Sequence, residues 1–173
     1  MEATQVTTSM TPCGGALPEL QVPMINAMAR CLGSEHRKLD EHILQLAAAA
    51  TRLSNHPGEA SAKARALEAW DEIRRELWSH LQIEDELVFA WGGAHQAISP
   101  ALLDTLRVER QELRRLLSLL PDLSSGGGGG AELTEDCGAF AGTLIALAQN
   151  LNAHVERYDA EVLPAILRAV FQK

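Results

Sequence analysis

LWSHLQIEDELVFA, residues 77–90, and LNAHVERYDAEVLP, residues 151–164, together decide how this chain folds. Laid over one another with residue 77 on residue 151, an offset of 74 positions, they match Leu77 with Leu151 and His80 with His154. The same offset lays EHRKLDEHILQL (35–46) over ERQELRRLLSLL (109–120), so that Leu39, Ile43 and Leu46 fall on Leu113, Leu117 and Leu120. Apolar coincidences are common between amphipathic helices, but a histidine kept at the same offset is not. The chain reads as two copies of one helical hairpin.

Working outward, the periodicity is helical throughout. Leu32, His36, Leu39, Ile43, Leu46, Ala50 and Leu53 recur at steps of three and four, in a first helix that begins near Pro18 or Pro23 and stops at SNHPGEAS (54–61). A second helix is expected from about Ser61 to Phe89, ending at the turn chemistry of WGGAHQAISP, and Ser99-Pro100 can start a third. Five consecutive glycines, 126–130, read as a flexible linker; a fourth helix is expected from about Leu133 towards the C-terminus, kinked at Pro164. These spacings predict an all-α fold, an up-down-up-down four-helix bundle, with residues 1–17 as a flexible tail and 18–173 as one bundle domain.

Composition agrees and excludes several partners. Aromatic residues make up 4% of the 173 and apolar residues 46%, a balance that favours helices around an aliphatic core. The formal net charge of -8 leaves no basic footprint for nucleic acid or for an acidic membrane surface. Cys13, Cys31 and Cys137 are odd in number and widely spaced, which speaks against a disulfide framework or thiolate zinc site and for a reducing, cytoplasmic setting. Cys31, on the first helix, reads as a buried inert thiol.

The turns then set a common height. In an antiparallel hairpin two residues stand level when the turn lies midway between them. The midpoint of His36 and His80 is Gly58, that of His80 and position 110 is His95, and that of position 110 and His154 is Glu132, each at or beside a turn. Residues 36, 80, 110 and 154 are therefore expected in one layer, about 33 Å from the first and third turns and about 22 Å from the second at roughly 1.5 Å per residue. Glu84, four residues after His80, shares its helix face. A buried carboxylate needs a partner or a cation, and imidazoles converging on it from other helices supply donors suited to iron, manganese or zinc. Bundle cores hold carboxylate-bridged metal pairs by this construction.

These residues also carry a family resemblance. His36 in an EH-x-x-L setting, the H-x-x-x-E of His80 and Glu84, and His154 followed five residues later by Asp159 resemble the hemerythrin-like, or HHE cation-binding, family over about residues 30–170. The resemblance implies a four-helix bundle around a non-haem di-iron centre, with roles in reversible oxygen binding, iron handling, or response to oxygen, nitric oxide or oxidants. Carried over by position, it makes His36, His80 and His154 terminal metal ligands and Glu84 and Asp159 bridging carboxylates. Two features depart from that pattern. The third helix carries Leu106 and Arg110 where the family brings histidine, and a guanidinium cannot ligate a cation. Tyr158 stands where the repeat would place a glutamate.

The leading expectation is thus an iron-binding protein, di-iron or reduced to one metal, that meets a small diatomic ligand or an oxidant. Glu109 and Tyr158 are candidate substitute ligands. The alternative from another class is a metal-free helical interaction module in which Arg110 neutralises Glu84 and Asp159 in place of the cation. Nothing in the sequence points to hydrolytic or nucleotide chemistry.

Overall fold

The computed structural model describes residues 22–125 and 131–171. The 1–17 tail and the glycine run lie outside them. The described chain is all-α, as the periodicity requires. Helix α1 spans Val22–Asn55, α2 Ala60–Glu84, α3 Pro100–Ser125, α4 Ala131–Arg157 and α5 Leu163–Phe171. A π-helical stretch, Asp85–Gly92, prolongs α2, and a second, Tyr158–Val162, joins α4 to α5. The four long rods pack side by side, α1 against both α2 and α4, and α3 against α4. Among the described residues no helix is long and apolar enough to cross a membrane.

The seam of α1 shows why these residues make a bundle. Ile25, Ala29, Leu32, His36, Leu39, Ile43, Leu46, Ala50 and Leu53 are buried at alternating steps of four and three, the spacing that keeps one stripe of a helix turned towards its neighbours. His36 occupies a seam position that Leu or Ile fills elsewhere, so packing of the stripe carries it into the core. His80 and Glu84 enter by the same route, three and seven residues beyond buried Leu77.

The polar layer divides the interior in two. On one side a cluster built around Leu39, Ile73, Leu113 and Leu147 fills the bundle towards the Gly58 turn. On the other, Leu32, Leu87, Leu106, Val162 and Ile166 form a second cluster. Among the described residues, the five buried polar or charged side chains, His36, His80, Glu84, Arg110 and His154, are all members of the layer between them.

Two boundaries differ from the sequence expectation. The second rod runs on to Gly92 instead of ending at Phe89, because the π stretch carries it through to the glycine pair. The fourth begins at Ala131. Pro164, where the sequence predicts a kink, lies directly after the second π turn. The π turn directly upstream widens the ladder where the proline ring would meet the carbonyl four residues back, and α5 continues beyond it.

Candidate metal centre

Four elements each deliver one or two side chains to the layer. The His36 and His80 rings lie 4.9 Å apart between centroids, His80 and His154 6.2 Å, and His154 and Tyr158 4.5 Å. Glu84 sits at their focus. Its Oε1 is 2.8 Å from His154 Nε2 and 2.9 Å from His80 Nε2. His36, His80 and Glu84 each offer a donor atom within 4.8 Å of the others, in a cluster that could hold a metal ion. The second carboxylate oxygen, Oε2, faces Arg110 Nη1 at 3.4 Å.

Each imidazole also has an acidic neighbour on its outer side. Asp159 Oδ1 lies 2.6 Å from His36 Nδ1, Glu35 Oε2 3.3 Å from His80 Nδ1, and Glu109 Oε2 4.0 Å from His154 Nδ1. Where Nδ1–H donates outward to a carboxylate, Nε2 is left with its lone pair facing inward. This is how proteins orient histidine as a metal ligand and raise its basicity.

Burial and charge oppose one another here. Burial most strongly disfavours the Glu84 carboxylate, yet His154 and His80 outweigh it and hold its pKa down at about 2. His36 is pushed below the ordinary imidazole value, chiefly by burial and despite its bond to Asp159. His80 is raised, because Glu84 and Glu35 together overcome its burial. The Tyr158 phenol is driven far above its usual range, first by burial and then by the Glu84 charge.

The donor set suits a cation. His36 Nε2 and the Tyr158 hydroxyl are buried without a hydrogen-bond partner, and His80 Nε2 has the Glu84 carboxylate as its partner. Unpartnered buried polar groups each cost about 1–3 kcal/mol, so two beside one ionised carboxylate mark a place prepared for something else. Three imidazoles and a carboxylate are donors of the kind that hold iron, manganese or zinc.

Comparison with known proteins gives the same reading. The family model for the hemerythrin HHE cation binding domain matches residues 18–166. The chain belongs to that family. No curated protein and no solved structure matches it. Within this hemerythrin-type bundle, the structure brings His36, His80, Glu84 and His154 together and places Arg110 beside them.

Asp159 is the exception. The resemblance makes it a bridging ligand, but its side chain is 51% exposed and meets His36 from outside the cluster. The physical reason lies in the repeat. Offset by 74 residues, Glu84 falls on Tyr158 and Asp85 on Asp159, so the inward position belongs to Tyr158, which is fully buried. Asp85 stands to Arg110 Nη2, at 2.6 Å, as Asp159 stands to His36. Glu109, the candidate substitute ligand, is held by Arg157 at 2.7 Å. Sequence reasoning missed Glu35 and Asp85 as outer partners. Their signal was present in the repeat, which pairs Glu35 with Glu109 and Asp85 with Asp159. Cys31, expected buried, is exposed, with its Sγ 3.8 Å from Glu35 Oε1.

Proposed function

We propose that this hemerythrin-family protein holds non-haem iron at His36, His80, Glu84 and His154 and uses it to bind or sense oxygen, nitric oxide or a small oxidant. The observation that carries this reading is Glu84. It is an ionised carboxylate with no solvent exposure, set between two imidazole Nε2 atoms and beside a third ring whose inner nitrogen has no partner. Iron in that position would supply an open coordination site for a diatomic ligand. Burial selects the ligand by size, because the donor side chains are at most 1% exposed and sit between two packed apolar clusters. Asp159 and Glu35 fix the His36 and His80 rings, while Leu106 and Val162 help keep bulk water from the layer.

Iron content of protein from iron-supplemented cells, with a visible spectrum, tests the proposal. Bound iron is expected, falling at least severalfold in His80→Ala. Parent-like iron and thermal stability in that variant would remove His80 from the ligand set. A second reading rests on the Arg110–Glu84 contact, which would allow a metal-free charge network in an interaction module. Protein that takes up no iron, manganese or zinc from any preparation would favour it.

A further inference from the structure

Arg110 and Tyr158 occupy, in the second half of the repeat, the places that His36 and Glu84 occupy in the first. This bears directly on how many ions the layer can take. A carboxylate joins two metals by giving one oxygen to each. Glu84 presents Oε1 to His80 and His154, but its Oε2 faces the Arg110 guanidinium.

That guanidinium is firmly held. Its Nη2 donates to the Leu81 carbonyl at 2.7 Å and to Asp85 at 2.6 Å, its Cζ lies 5.5 Å from the centre of the Phe89 ring, and the side chain is 6% exposed. Moving it aside would leave a permanent charge seeking a new partner in a packed core. The layer also lacks the anionic charge a second ion needs. Glu84 is the sole buried carboxylate among the described residues, the matching position carries the neutral Tyr158, and Glu109 is engaged by Arg157. The outer shell completes the correspondence, since Asp85 supports Arg110 as Asp159 supports His36.

We propose that the centre takes a single metal ion per chain, with Arg110 serving as a built-in cation where a second ion would otherwise bind. The proposal rests on the metal-binding reading above but can fail separately from it. Arg110 thereby becomes a positioning residue: it holds Glu84 to one metal through Oε1 and neutralises the oxygen left over.

The test is stoichiometry. Protein stripped with a chelator and reloaded anaerobically with ferrous iron is expected to bind one iron per chain by elemental analysis. After oxidation it should give the electron paramagnetic resonance signal of an isolated high-spin ferric ion, which an antiferromagnetically coupled pair lacks. Two irons per chain, or a silent coupled pair, would overturn the single-ion proposal and leave the metal-binding reading standing. No iron would overturn the metal-binding reading itself. The double variant Arg110→His, Tyr158→Glu restores the first-half residue types to the second half and is expected to raise the ratio from one to two. A folded double variant that stays at one would show that Arg110 is not what limits the count. If that variant does not fold, the wild-type ratio and spectrum decide alone.

Discussion

At the scale of single residues, Glu84 governs the centre, and its ionisation has a direction that can be measured. Its folded-state pKa of about 2 lies below the ordinary 4.5, so it contributes stability that is fully present above pH 4.5 and is lost as pH falls towards 2. His36, depressed by burial, adds a loss of the same sign that begins below its ordinary 6.5. His80 has the opposite sign: its raised pKa adds stability below 6.5 that disappears as pH rises through the folded value. In metal-free protein, unfolding by urea at a series of pH values is expected to show stability falling between about pH 4.5 and 2, and Glu84→Gln should flatten that limb. An unchanged slope in the variant would mean that Glu84 is not held ionised by His80 and His154.

Elements set what faces inward, and the two π-helical stretches are the clearest case. They follow Glu84 and Arg157, near equivalent points of the two hairpins, so each hairpin changes register just beyond its layer residues. In the second, Tyr158 shares the buried face of His154, four residues before it, while the wide turn leaves Asp159, Ala160 and Glu161 outside and then returns Val162, Ile166 and Val170 to burial. Inserting one alanine after exposed Ala160 would add a residue beyond the one the wide turn already absorbs and rotate everything beyond it by about 100° relative to α4. Val162, Ile166 and Val170 would then leave the second apolar cluster, a loss of at least about 3 kcal/mol in a denaturant titration by the usual cost of emptying core positions. The control, Ala160→Ser, is expected to stay within about 0.5 kcal/mol. An insertion variant as stable as the parent would dismiss the register argument.

For the whole molecule, the position of the centre links metal to stability. The layer lies between the two apolar clusters and draws on all four rods, so its geometry exists only in the assembled bundle. An ion that binds the folded state alone stabilises it by about 2.7 kcal/mol at a hundredfold excess over its dissociation constant. For a chain of this length that corresponds to roughly 5–10 °C in Tm. Iron-loaded protein should therefore melt higher than chelator-treated protein by that order in a thermal scan. Equal melting temperatures would mean that metal is held outside the bundle core.

Much of this architecture was legible in the residues themselves. Steps of three and four dictate four helices, since only a 3.6-residue period puts Leu32, Leu39, Leu46 and Leu53 on one face. The repeat offset and turn midpoints place residues 36, 80, 110 and 154 at one height, because an antiparallel rod rises by a fixed amount per residue. Direction around each rod was not determined in that way. Helical spacing puts Tyr158, four residues after His154, on the inward face, but the face shown by the chain beyond it depends on one wide turn, whose extra residue no apolar period records. The two oxygens of Glu84 are distinguished only in three dimensions, where two imidazoles from α2 and α4 take one and a guanidinium from α3 takes the other. Residue type and period thus fixed which groups meet; how they share one carboxylate was decided by helices that are distant in sequence and adjacent in space.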